Sequence, residues 1–63
     1  MYHEQIWHYQ VKQWRRDGEQ EYLAIITNGC TDNLQSAFQL MNAESAPTHV
    51  YDCFTDQIIM RNY

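Results

Sequence analysis

Glycine, proline, cysteine and basic residues are all scarce in this chain. Its 63 residues include two glycines, one proline, two cysteines and four Lys or Arg. Two isolated glycines, Gly18 and Gly29, cannot build a phosphate-cradling loop, and Asn28-Gly29-Cys30 lacks the Gly-rich spacing and Lys-Ser/Thr ending of one. Two cysteines are too few for a disulfide scaffold, which leaves only the question of a single Cys30–Cys53 bridge. Four cations (Lys12, Arg15, Arg16 and Arg61) stand against eight carboxylates, for a formal charge of −4. Direct nucleic-acid binding is therefore not expected, because a phosphate-backbone footprint needs several clustered cations. An acidic surface also repels anionic membrane. No window approaches 18 consecutive apolar residues, and no apolar leader precedes a cleavage site. The expectation is a cytoplasmic protein with reduced thiols, neither secreted nor membrane-spanning.

What is abundant is apolar and aromatic. Apolar residues make up 44% of the chain, and two Trp, five Tyr and two Phe give 14% aromatics. A mass of 7.6 kDa excludes several domains and most large substrate clefts, so residues 1–63 read as one domain. A domain of about 60 residues buries only about 60% of the surface its unfolded chain exposes, so it gains from a staple, a metal or a partner chain.

Residues Glu4 to Trp14 alternate with period two, Trp7, Tyr9 and Val11 sharing an apolar face, which predicts a strand. Arg15-Arg16-Asp17-Gly18 predicts a hairpin turn, and Glu19 or Glu21 then falls across from Lys12 or Arg15. Glu21 to Thr27 is apolar on both faces, which predicts a central strand, covered twice or covered once and used for association. Asn28-Gly29 reads as a break. Asp32 followed by Gln35 predicts a capping box and a helix from about Asn33 to about Glu44, with Leu34, Ala37, Phe38 and Met41 inward and Leu40 widening the stripe. Ser45-Ala46-Pro47 ends it. Thr48 to Phe54 reads as a third strand. After a turn at Thr55-Asp56, Ile58 to Met60 reads as a fourth strand or a short terminal helix.

The predicted fold class is α+β: a small antiparallel or mixed sheet of three to four strands with one helix on one face, in the order β-β-α-β. Its expected core is Tyr22, Ala24, Ile26, Leu34, Ala37, Phe38, Met41 and Val50, with Trp7, Tyr9 and Val11 contributing. One helix covers one face. The aromatics left over imply a surface used by a protein partner or a second copy of the chain.

Chemistry finds little footing. Cys30 before the helix start could be a thiolate nucleophile, with His49 as base and Asp52 or Asp56 to orient it, but no spacing ties them together. His3, His8, His49, Cys30, Cys53 and Asp52 lack paired zinc-ligand spacing. Asp17 and Asp32 serve a turn and a cap, and Glu19 and Glu21 lack the burial that paired acid–base carboxylates need. Neither metal nor cofactor is expected. The chain is read as a non-enzymatic, cytoplasmic protein-binding module, an accessory protein of the kind phages carry, that inhibits or tethers a larger protein as a homodimer. Trp14, Tyr51 and Tyr63 are the expected anchors, with Arg15 and Arg16 at the rim. The competing readings are a structural homo-oligomer and a small metal- or thiol-dependent enzyme.

Overall fold

The structure, a computed structural model, describes residues 6–63. The extended reading of Glu4 and Gln5 and the candidate ligand His3 lie outside the described residues. The elements are β1 (Tyr9–Asp17), β2 (Gln20–Thr31), α1 (Leu34–Asn42), β3 (Thr48–Asp52) and β4 (Gln57–Arg61). The four strands form one antiparallel sheet in the order β2-β1-β3-β4, with α1 packed on one face. The α+β class is as predicted, and the terminal segment is a strand.

The central strand differs from expectation. β1 has a neighbour on each side, whereas β2, read as central, lies at an edge. Its apolar residues on both faces therefore end largely in solvent: Tyr22, Leu23 and Ile25 are exposed, and only Ile26 is fully buried. The strand–turn boundary also moves. Arg15, Arg16 and Asp17 belong to β1, and the hairpin turns on Gly18 and Glu19 alone. Gly18 has φ 64°, the left-handed value that the first central position of a type II′ turn requires. Glu21 pairs across from Arg16, their side chains 2.9 Å apart.

Asn28-Gly29 is a bulge inside β2. Gln10 pairs with Cys30 and Lys12 with Ile25, so Val11 alone faces the four intervening residues Ile26 to Gly29. Asn28 takes φ 60° to make the bend, a conformation Asn tolerates better than most residues. Gly29 is needed for a second reason. A Cβ there would stand 2.8 Å from the carbonyl oxygens of both Ile26 and Val11.

The helix starts one residue later in its capping than predicted. Asn33 is the N-cap, its Oδ1 accepting from the Ser36 amide at 3.0 Å, while Asp32 Oδ1 accepts from the His8 amide at 2.8 Å. Short-range spacing cannot distinguish two adjacent capping residues; the long-range claim of His8 on Asp32 does. The inward stripe is rotated too. Ala37 and Met41 are buried and Leu40 half-buried, but Leu34 and Phe38 are exposed.

The core is thus smaller than predicted. It comprises Val11, Ile26, Ala37, Met41 and Val50, with Tyr9, Leu40 and Met60 packed against it. Tyr22 and Trp7 are exposed and Ala24 only half-buried, because a helix of nine residues spans only about 13 Å and cannot cover a sheet this long. Leu34 and Phe38 are exposed because the helix turns Ala37 and Met41 to the sheet instead. Polar side chains complete the helix side. Gln13 Nε2 donates to Glu44 Oε2 and Thr48 Oγ1 at 3.2 and 3.4 Å. Asn62, which the sequence pattern did not single out, ties the chain after β4 to β3 and to the connection between α1 and β3. Its Oδ1 accepts from the Thr48 amide at 2.8 Å, and its Nδ2 donates to the Glu44 and Ala46 carbonyls at 3.1 Å. Asp52 ties the β3–β4 turn, accepting from the Phe54 and Thr55 amides at 2.8 and 3.1 Å. Phe54, expected in β3, instead stacks on the His8 ring at 4.3 Å, and Tyr9 stacks at 4.0 Å.

Gly29→Ala is the sharpest test of this packing. The added methyl meets two backbone carbonyls that cannot move aside independently, so it should cost about 1–3 kcal/mol or more, as overpacking does. Urea unfolding measures it. Gly18→Ala, where nothing lies within 4 Å, tests only the φ penalty and should cost less.

Candidate functional site

Side chains alternate between the faces of a strand. Val11 and Val50 point at α1, so their neighbours point away from it. The open face accordingly takes Lys12, Trp14 and Arg16 from β1 and Glu21, Leu23 and Ile25 from β2. It takes His49 and Tyr51 from β3, and Ile58 and Arg61 from β4. Trp14, Leu23 and Ile25 adjoin on β1 and β2 and Ile58 lies on the far strand β4, each between 38% and 49% exposed. The face thus carries exposed apolar residues on both sides of a middle formed by Lys12, His49 and Tyr51.

Its charge runs opposite to the whole chain. The protein carries −4, yet the open face holds Lys12, Arg16 and Arg61 against Glu21 alone. These cations lie over or beside other groups of the face. Lys12 Nζ is 4.2 Å from the centroid of the Tyr51 ring, Arg61 is 5.8 Å from that of Tyr63, and Arg16 pairs with Glu21.

Beneath them His49 is 2% exposed, with the Tyr63 hydroxyl 3.4 Å from its Nδ1. Burial pushes its pKa below the ordinary 6.5, and the charges of Lys12 and Arg61 push the same way. His49 is therefore held neutral.

Four of the five predicted contact residues meet in one place. Trp14, Arg15, Arg16 and Tyr63 line a groove of about 350 Å³ together with Glu21 and Pro47. The groove arises because β1 outruns β3. Pairing between them ends at Gln13 with Thr48, with one further bond from the Trp14 amide to the Pro47 carbonyl at 3.0 Å. Beyond that point β1 continues to Asp17 with only β2 beside it. Arg15 Nε donates to Gln13 Oε1 at 3.2 Å, which holds its guanidinium at the groove, and among the described residues it has no acidic partner. Tyr51 stands apart, half-buried under Lys12 in the middle of the sheet. Leu23 and Ile25 form the face of the Glu21 to Thr27 strand that the pattern leaves to a second cover or to association, without singling them out as contacts, and Ile58 is not singled out at all. Their exposure depends on strand order, which single-strand periodicity does not contain.

The chemical constellations do not assemble. Cys30 lies in β2 across from Gln10, not at the helix start, and His49 lies across from Lys12. Cys30 and Cys53 are both free thiols, and burial raises the pKa of Cys53. Among the described residues no three His, Cys, Asp or Glu side chains cluster as metal ligands. His8 pairs with Asp52 at 3.3 Å. For Asp52, burial opposes ionisation, but the Phe54 and Thr55 amides and His8 outweigh it and hold the carboxyl below 3.8. That is a folding role. No helix of the described residues is long and apolar enough to cross a membrane. No protein-family model, curated protein or solved structure matches the chain.

The buried histidine gives a pH dependence of defined sign. Its folded pKa is depressed below the unfolded 6.5, so the unfolded chain binds the extra proton first. Its contribution to stability is full above about pH 6.5 and falls as pH drops through the window down to the folded pKa. Urea midpoints between about pH 7 and about pH 5 should decline for the wild type and decline less for His49→Gln. Equal slopes would contradict the neutral, buried assignment.

Proposed function

We propose that this chain is a non-enzymatic binding module. It docks on a larger protein through the open sheet face and the groove beside it, and so inhibits or tethers that protein. The observation that carries this reading is the uncovered face itself. Trp14, Leu23, Ile25 and Ile58 stay exposed around a patch whose cations oppose the charge of the rest of the molecule. An aromatic anchor with aliphatic neighbours and a charged rim is the usual anatomy of a protein-contact surface. Trp14 and Tyr63 serve as anchors, Tyr51 underlies the patch, and Arg15 and Arg16 form its rim.

The homodimer belongs to the same proposal but uses a different surface. The outer edge of β2 is long and presents unpaired backbone groups beside the exposed Tyr22 and Leu23. Such an edge invites pairing with a second strand. Joining face to face would instead bring two copies of the same net-positive face together, which like charge disfavours. A structural homo-oligomer is the second reading, favoured by free edges on both β2 and β4.

Two measurements test the proposal. Capture from native cell lysate at about micromolar bait should recover a protein, and Ile25→Gln or Ile58→Gln should reduce recovery about ten-fold or more. Both positions are exposed, so stability should stay within about 0.5 kcal/mol. Recovery of nothing above background, or recovery indifferent to both variants, contradicts the docking face. Light scattering should give twice the 7.6 kDa chain mass. A strict monomer removes the dimer and the homo-oligomer together.

A further inference from the structure

We infer that the groove between the β1 overhang and Tyr63 is a strand-wide notch that accepts an extended peptide segment carrying an acidic side chain. This rests on the binding-module reading and names the chemistry of the partner at one part of that surface.

The notch has the geometry of a missing strand. In the order β1-β3-β4, β3 begins at Thr48, and the chain before it leaves toward α1. On one side β1 runs on through Arg15 and Arg16. On the other, Asn62 bonds Thr48 and carries the β4 line on to Tyr63. Tyr63 stands opposite Pro47, which bonds the Trp14 amide and closes the inner end of the notch. Beyond Pro47 the side of β1 that β3 occupied is open to one added strand, about 4.8 Å away. The lining comes from both faces of the sheet: Trp14, Arg16 and Glu21 from the open face, Arg15 from the helix side. An inserted strand also alternates its side chains between faces and would meet both sets. One strand residue fills about 3.3 by 4.8 by 10 Å, or about 160 Å³. The 350 Å³ groove thus holds about two residues of extended chain.

The backbone is set to receive it. The Trp14 amide points toward β3, where it bonds Pro47. By alternation the N–H and C=O of Arg16 point the same way, into the notch, and no strand pairs with them there. An added strand forms its backbone bonds at Arg16, and the side-chain pockets supply selectivity. Arg15 selects an acidic group: it is held by Gln13, lies at the notch and forms no ion pair among the described residues. Arg16 is already matched by Glu21. One unmatched cation does not suit a polynucleotide, which needs several.

The test uses the full chain, labelled with nitrogen-15, and an array of short capped peptides. Each alternates valine with threonine and carries one glutamate, glutamine or lysine. A second set is N-methylated at single backbone positions. At about 1 mM, glutamate peptides should shift the Arg16 amide and bind about ten-fold tighter than lysine peptides. N-methylation at one position should abolish the shift, and Arg15→Gln should erase the preference for glutamate while the protein's own spectrum stays dispersed. No shift at Arg16 from any peptide, shifts confined to the outer edges of β2 or β4, or equal affinity for lysine peptides overturns the inference. So does an oligothymidylate that shifts the same amide with greater affinity. If lysate capture depends on Ile25 and Ile58 while the notch stays silent, the notch fails and the binding module stands.

Discussion

The organising constraint is the mismatch in length between the two neighbours of β1. β1 has nine residues, β2 twelve and β3 only five. Only the stretch from Tyr9 to Gln13 is paired on both sides, and the core lies under that stretch. Val11 sits at its middle, fully buried, across from Val50 and against the Gly29 bulge. Past Gln13 the β1–β2 hairpin leaves the body as an arm, which explains the 41 Å long dimension of so small a protein. The arm, the notch beside it and the uncovered apolar face follow from one short strand.

The polar contacts stabilise that short strand's ends. Asn62 and Gln13 gather Thr48, Glu44 and Ala46 at the start of β3. Asp52 gathers Phe54, Thr55 and His8 at its other end. No buried side-chain nitrogen or oxygen among the described residues is left without a partner. A core of five fully buried apolar residues is small, and each buried hydrogen bond contributes about 1 kcal/mol beyond it. The fold therefore combines a tightly specified centre with a periphery that is apolar and uncovered.

Much of this was legible in the sequence. Asp17-Gly18 marked the hairpin, Pro47 the end of the helical region, and Val11, Ile26, Ala37, Met41 and Val50 the core. The errors share a cause. Tyr22 fits its local period but lies beyond the reach of the helix, Leu34 and Phe38 fit theirs but sit to one side of the stripe that α1 buries, and local periodicity does not record which strand neighbours which. Asp32 lost its capping role to Asn33 because His8, 24 residues away, takes its carboxylate. Trp14, Arg15, Arg16 and Tyr63 were chosen from residue type alone, and strand order places them around one groove. Tyr51 was chosen on the same grounds and lies elsewhere. The both-sided apolar pattern of β2 is real but largely uncovered: Tyr22 on one face and Leu23 and Ile25 on the other remain exposed.

β1 outruns β3 and leaves Arg16 unpaired toward the notch. Amide hydrogen exchange of the free protein reads this directly. The Lys12 and Trp14 amides, which face β3 and Pro47, and the Arg15 amide, which faces β2, should be protected, while the Arg16 amide just beyond them exchanges about as fast as an open strand edge does. Protection of Arg16 equal to that of Lys12 would mean that the notch is already filled, and would contradict the account.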